Sequence, residues 1–256
     1  MPARRIAEHP VIPRLAVTNL RDNAAYYDKF SEGYEDRRHD GYHRVLDDMQ
    51  ARLVRRYARP GDRALEIGCG TGLLMQRLRT EFVELEGVDI SEGMLAHASA
   101  RGLSVQQATA ESLPFEDESF DIVYSFKVLA HVQAIEAAVA EAYRVLAPGG
   151  HAILEFYNPW SLRALRKRIF AGRVAPGIKE SEVYTRFDSP NRVAEIFEGA
   201  GFEVLDHVGI MTVTPVAHVY RVPGLSAAFE FGERAASRSP LRRLGGFVST
   251  IGRRAS

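Results

Sequence analysis

Cysteine, lysine and tryptophan are nearly absent from this chain. Of its 256 residues one is Cys, at position 69, and one is Trp, at position 160. A single cysteine excludes an intramolecular disulfide and any zinc site built from a cysteine cluster. Lysine occurs only at 29, 127, 167 and 179, while arginine is abundant, an imbalance that reflects genome composition and not function. Neither sign of charge is in excess, with 33 basic residues against 33 acidic ones. A protein built to grip a nucleic-acid backbone carries a basic surplus, so no nucleic-acid partner is expected. Long apolar runs are missing too. The longest stretch without charge, 207–220, has 14 residues including two His and a Pro, short of the about 20 apolar residues that a bilayer span needs. The opening MPARRIAEHPVIPRL has arginines but no apolar block of a secretory signal. A cytoplasmic protein without stable membrane insertion is the expectation.

What is there is an alternating pattern. Residues 1–22 hold three prolines and no periodicity, which reads as a loose arm. A tyrosine-rich stretch with Tyr26, Tyr27, Tyr34 and Tyr42 follows. Helical spacing of Val45, Leu46, Met49, Leu53 and Tyr57 predicts a helix over 43–58. Strands are expected at 64–67, 85–90, 103–107, 120–126 and 151–157. Helices are expected between them at 71–79, 91–101 and 135–146. Strands alternating with helices imply a parallel α/β sheet covered on both faces. After 157 come a basic amphipathic helix (160–170), a loop (171–187) and a helix capped by Ser189-Pro190 and Gly201. Further strands are expected at 202–214 and 245–251, and a helix-like stretch at 225–236. The division is then an N-terminal arm and lid, 1–42, and one domain, 43–256, with cap segments 160–187 and 215–243.

The informative segment is Ala64-Leu-Glu-Ile-Gly68-Cys-Gly70-Thr-Gly72. A buried strand feeds a turn of three glycines, and a helix starts at once. Glycines allow tight backbone angles and let a ligand approach the main chain. They step by two, and position 73 is Leu, which departs from the dinucleotide fingerprint. The Lys-Ser/Thr ending of a phosphate-binding loop is absent. Asp89 ends the second strand, where a carboxylate can accept both hydroxyls of a ribose. The segment Ala108–Phe115 follows the third strand, placed to edge an adenine.

In that order, ALEIGCGTG, VDIS, ATAESLPF, FDIVYSF and RVLAPGGHAIL resemble the class I S-adenosylmethionine-dependent methyltransferases, and most of all the branch with the ubiquinone and menaquinone biosynthesis enzymes. The resemblance covers about 60–157. It implies a Rossmann-like seven-stranded sheet, mostly parallel, with a reversed last hairpin. It also implies S-adenosylmethionine as cofactor, S-adenosylhomocysteine as product, and no metal. By position, Glu66 and Gly68 would hold the methionine end, beside Cys69, with Gly70 and Gly72 giving close backbone approach. Asp89 would bind the ribose, and Ile90 and Met94 would pack near the adenine. Thr109 stands where the family usually has Asp, so the backbone of Ala110, with Glu111 beside it, would take over there. Ser125 and Phe126 would line the methionine end, and Tyr27 and Tyr34 would close over the cofactor.

Several candidates carry a plainer reading beside the functional one. Cys69 lies inside the glycine loop, so packing is expected of it rather than nucleophilic attack. His131, one helical turn past the fourth strand, is the candidate general base, with packing as its rival. His39, Tyr157, Trp160, Phe170 and Tyr184 are the candidate acceptor pocket, with core packing as their rival. Arg163, Arg166, Lys167 and Arg168 form either a solvated helix face or a contact for an acidic or membrane surface. No amine-methylating Asn-Pro-Pro-Tyr motif follows the fourth strand. The expected activity is methyl transfer to O, C or N of a small organic acceptor, in secondary-metabolite, quinone or glycolipid biosynthesis, by a monomer or homodimer. A non-catalytic nucleoside-binding protein of this fold and a protein or RNA methyltransferase stay open as alternatives.

Overall fold

The computed structural model describes residues 20–36, 38, 41–162, 164–165, 184–214, 219–220, 222, 224–237 and 239–256. The elements run α1 (Leu20–Ser31), α2 (Gly41–Tyr57), β1 (Arg63–Ile67), α3 (Leu73–Leu78), β2 (Glu84–Asp89), α4 (Glu92–Ala100), β3 (Ser104–Gln107), β4 (Phe120–Ser125), α5 (Ile135–Val145), β5 (Leu146–Tyr157), α6 (Pro190–Ala200), β6 (Phe202–Ile210), α7 (Leu225–Ala236) and β7 (Phe247–Arg254). The strands form one sheet in the order β3-β2-β1-β4-β5-β7-β6. β7 runs antiparallel to both β5 and β6, and the other pairings are parallel. This is the Rossmann-like sheet with a reversed last hairpin. The strand order turns back between β1 and β4, and ligands of open α/β sheets sit at such a switch point, beyond the carboxyl ends.

Strand alternation sorts the core into two layers. Leu65, Ile67, Val123, Leu154 and Phe156 face α5 and α6, meeting Val139, Ala142, Val193 and Phe197. Ala64, Ile122, Tyr124, Ile153 and Ile251 face α2 and α3, meeting Leu46, Val54, Leu74 and Leu78. The same period puts Glu66, Glu155 and Ser249 on the α2 side as well. Register joins them in pairs, Glu66 beside Tyr124 and Glu155 beside Ser249. Polar groups thus underlie the carboxyl ends of the central strands on one face only.

Local signals set several ends. Ser91 caps α4 by accepting from Met94 N at 3.1 Å. Ser189 caps α6, Pro190 fills its first turn, and Gly201 ends it at φ 102°. Other boundaries moved. Of the tyrosine stretch, Tyr26 and Tyr27 lie in α1 and Tyr42 in α2, while Tyr34 lies in the turn after α1; α1 begins inside the expected arm, and residues 1–19 lie outside the described part. β5 starts at Leu146 and passes through Pro148-Gly149-Gly150, where a helix end was expected. Its pairing with β4 jumps between Phe120 and Ile122, so the strand absorbs these residues in an irregular register. β6 stops at Ile210 because Met211 turns to φ 55°, and β7 extends to Arg254. Of the expected basic helix, only Leu162, Ala164 and Leu165 are described as helical.

Candidate active site

A cavity of about 860 Å³, counting space open to solvent, lies at the switch point. Its walls come from the glycine loop (Gly68, Gly70), the end of β2 (Asp89, Ile90), α4 (Met94), the turn after β3 (Ala110, Glu111), the turn after β4 (Phe126, Lys127, Val128, His131) and α1 (Asn23, Tyr27). Tyr34 closes one side. A second cavity of about 370 Å³ shares Tyr34, Gly68, Gly70, Phe126 and Lys127 with the first. It continues past Glu66, Cys69 and Thr71 to Arg38, Asp47 and Gln50.

The loop geometry explains its glycines. Gly68, Gly70 and Gly72 all have positive φ, at 74°, 54° and 77°, which side chains adopt at a cost. A Cβ at Gly68 would run into Val128, and one at Gly72 into Leu103. A Cβ at Gly70 would meet nothing within 4 Å, so it would project into open space beside the cavity. Gly72 lines neither cavity and lies close against Leu103 and against Ala98 of α4. Cys69 is buried against Met75 and Leu95, and burial pushes its thiol far above the ordinary range, which keeps it un-nucleophilic.

Asp89 accepts from Gly70 N at 2.8 Å and from Ser91 N at 3.0 Å. Burial raises its pKa, opposed by these donors. Helix α1 is tied to the same place. Asp28 accepts from the Ser91 hydroxyl at 2.6 Å and from Gly93 N at 3.0 Å, so α1 sits on the start of α4. Arg101 clamps Glu35 with two 2.7 Å bonds and holds Thr71 O at 3.0 Å. Tyr27 is half-buried, and desolvation raises its pKa, with Tyr157 next in effect.

Glu66 is buried, and its Oε2 has no hydrogen-bond partner among the described residues. Burial lifts its carboxyl to about 8. A buried acceptor left unpaired at the edge of a cavity fits an incoming cation. The methionine ammonium of S-adenosylmethionine is such a cation, and Gly70 leaves the room that a backbone-hugging cofactor needs. The residues present therefore fit the group.

His131 ends a 3-10 turn, Leu129–His131. Its Nδ1 lies 2.8 Å from Tyr184 O and 3.4 Å from the Thr185 hydroxyl. Its ring packs edge-on between Tyr27, at 6.2 Å, and Tyr157, at 5.7 Å. Tyr157 thus reaches the site through His131, and Tyr184 contributes its carbonyl. Other expected residues stand elsewhere. Ser125 is buried and donates to Ile67 O at 2.8 Å, pinning β4 to β1 instead of lining the methionine end. Thr109 forms a bridge with Ser112 and lines neither cavity. Trp160 is 54% exposed. His39 and Phe170 lie outside the described residues. No described residue of 160–187 or 215–243 lines either cavity.

Some site residues escaped the sequence reading. Asp47 takes Arg38 at 2.7 Å and Lys127 at 3.9 Å, and Arg38 also bonds the Tyr34 hydroxyl. Gln50 Nε2 donates to both oxygens of Glu155, at 3.3 and 3.1 Å. Lys127 N also donates to Glu155, whose carboxyl burial pushes up to about 7. Lys127 itself sits at φ 64°, a strained state for a side-chain-bearing residue, of a kind that gathers at ligand sites. The available signals were the polar Asp47 and Gln50 on the apolar stripe of α2 and an acid inside an apolar strand. Among the described residues no group of three or more His, Cys, Asp or Glu can hold a metal.

A family model described as a methyltransferase domain matches residues 65–154. The demethylmenaquinone methyltransferase of Symbiobacterium thermophilum is 31% identical over 230 residues, spanning 75% of this chain and 89% of that protein. The chain belongs to the class I S-adenosylmethionine-dependent methyltransferases. The ubiquinone/menaquinone biosynthesis C-methyltransferase UbiE of Brucella canis is 33% identical over 195 residues, 64% of this chain and 70% of that one. A solved S-adenosylmethionine-dependent methyltransferase of Thermotoga maritima, described as a possible histamine N-methyltransferase, is 26% identical with a TM-score of 0.65, covering 90% and 99% of the two chains. The [4+2]-cyclase SpnF, 19% identical, shares the fold with a TM-score of 0.66 over 94% of this chain and 99% of that one. The protein is thus an S-adenosylmethionine-dependent methyltransferase. Among the described residues no helix is long and apolar enough to cross a membrane.

Proposed function

We propose that this methyltransferase places a methyl group on a ring carbon of a small quinol-type acceptor, with His131 as the base. The observation that carries this reading is the pinned imidazole. A carbonyl oxygen can only accept, so the 2.8 Å contact to Tyr184 O puts a hydrogen on Nδ1. In the neutral ring Nε2 is then the basic nitrogen. The flanking rings of Tyr27 and Tyr157 offer an apolar wall to a flat acceptor. The names of the two quinone-biosynthesis relatives agree with it.

In this reading Glu66 and Gly68 hold the methionine end of the cofactor, and Gly70 allows backbone approach. Asp89 receives the ribose hydroxyls, while Ile90, Met94, Ala110 and Glu111 surround the adenine. Tyr27 and Tyr34 cover it. When bound, the cofactor supplies an electrophilic sulfonium methyl with a neutral thioether as leaving group. The protein's own task is alignment and exclusion of water. His131 takes the acceptor's hydroxyl proton at Nε2, which makes the ring electron-rich at carbon. The ring proton displaced by the methyl leaves to solvent.

The test is a screen with isotopically labelled methyl donor against reduced short-chain demethylquinols, catechols and imidazole amines, with mass spectrometry of the product. The proposal expects label on a quinol ring carbon. Label on oxygen or on an amine nitrogen, with no ring-carbon product, would overturn it.

A further inference from the structure

The wall shared by the two cavities comes from a turn whose shape its own sequence opposes. β4 ends at Ser125, and Phe126, Lys127 and Val128 follow it. Phe126 and Lys127 line both cavities, and Val128 lines the larger. Lys127 turns at φ 64°, a left-handed state that glycine enters freely and that a residue with a Cβ enters at a cost. Left to itself, Lys127 would favour right-handed or extended backbone. The surrounding structure must hold it in place.

Two buried side chains supply the restraint. Glu155, on β5, accepts from the Lys127 backbone N–H. Gln50, on α2, donates from Nε2 to both Glu155 oxygens, at 3.3 and 3.1 Å. A backbone amide bonded to a carboxylate is charge-assisted, and it is stronger in a buried place than in water. Register sets the position of the acid. Leu154 of β5 pairs with Ser125 at the end of β4, so Glu155 stands one residue further on, where the turn starts. The Lys127 ammonium points elsewhere, with Nζ 3.9 Å from Asp47, and the bond to Glu155 is made by the main chain.

The turn carries more than Lys127. The Val128 side chain fills the space over Gly68, where an added Cβ would run into it. Val128 O accepts from His131 N at 2.8 Å, and that bond closes the 3-10 turn Leu129–His131. A single left-handed residue therefore sets the cover over Gly68, a wall of each cavity and the seat of His131. We propose that Glu155 and Gln50 are positioning residues, which hold Lys127 left-handed and so fix the wall against which the cofactor binds. The inference rests on the placement of the cofactor beside Gly68, and not on the quinol acceptor or on His131 as the base.

The test is a series of full-length variants titrated with S-adenosylhomocysteine in a calorimeter, in buffer alkaline enough to ionise Glu155. Glu155→Met keeps the volume and removes the acceptor, and affinity should fall roughly tenfold, the scale of a left-handed residue released from its restraint. Glu155→Gln keeps an oxygen for the Lys127 N–H and should stay within roughly threefold of the natural protein. In a Lys127→Gly background, where glycine adopts the turn unaided, Glu155→Met should cost less than about twofold. Equal losses from Glu155→Met in the two backgrounds overturn the proposal. So does a Glu155→Met variant that binds like the natural protein, or a Glu155→Gln variant that loses as much as Glu155→Met. Hydrogen exchange followed by NMR on the natural protein needs no variant to fold. The Lys127 amide should be protected like those of β4, and exchange at the rate of a free turn amide overturns the proposal. A natural protein that binds no S-adenosylhomocysteine contradicts the cofactor reading, while exchange at Lys127 still decides whether the clamp exists.

Discussion

The Nδ1 of His131 lies 2.8 Å from the carbonyl oxygen of Tyr184. This contact fixes both the tautomer and the ring's orientation, and it ties the turn after β4 to the segment before α6. Arg186 N reinforces the junction by donating to Ala130 O at 2.7 Å. His131→Gln should therefore lower turnover by about 10²–10⁴-fold while leaving cofactor affinity unchanged. The pH–rate profile is the check. The acid limb should vanish in the variant, and a loss under about threefold with that limb intact would return His131 to packing.

The glycine loop offers a matched pair of substitutions. Gly70 and Gly102 both have positive φ, 54° and 72°, and both leave open space for a Cβ. Gly70→Ala and Gly102→Ala should each cost roughly 1–2 kcal/mol of stability through backbone conformation alone. Only Gly70→Ala should also lose cofactor binding, because its methyl would enter the cradle. Denaturant titration and calorimetry on both variants separate the two effects.

Much of this arrangement is legible along the chain where the signal is local. Gly68, Gly70 and Asp89 stand where strand ends and turn chemistry place them, and Ser189, Pro190 and Gly201 mark both ends of α6. What depends on contacts between distant segments is not legible in that way. Ser125 looks like a site residue by position, yet it bonds Ile67 O because β1 lies alongside. Glu155 reads as a blemish in an apolar strand until Gln50 of α2 is set over it. Pro148-Gly149-Gly150 reads as a break, but β4 pairs beyond it on either side of an irregular step. Tyr26 and Tyr27 sit in α1 because Asp28 finds Ser91, a partner 63 residues away.

Burial of Glu66 and Glu155 makes stability depend on pH. Their folded pKa values, about 8 and about 7, stand above the ordinary 4.5. Between 4.5 and those values the folded protein holds more protons than the unfolded chain. Stability from both groups is thus full below about 4.5 and is lost as pH rises through about 7 and then about 8. The Tm of the cofactor-free protein should fall over this window by a few degrees. Glu155→Gln should flatten the fall, and a Tm that climbs across the window would contradict it.

The same carboxyl links pH to the cofactor. An ammonium beside Glu66 favours the ionised form, so binding should release a proton below about pH 8. Calorimetry in buffers of different ionisation enthalpy reads this release directly. Glu66→Gln should abolish it and weaken binding, while Cys69→Ser should leave the proton count unchanged.

Placement of the cofactor between the glycine loop and Asp89 is the claim on which the rest stands. Calorimetric titration of S-adenosylhomocysteine into the natural protein and into Asp89→Ala tests it. The account predicts one site per chain and a loss of about 1.5–3 kcal/mol in the variant, as for a hydrogen bond to a charged group. Equal affinity in the two proteins would contradict it.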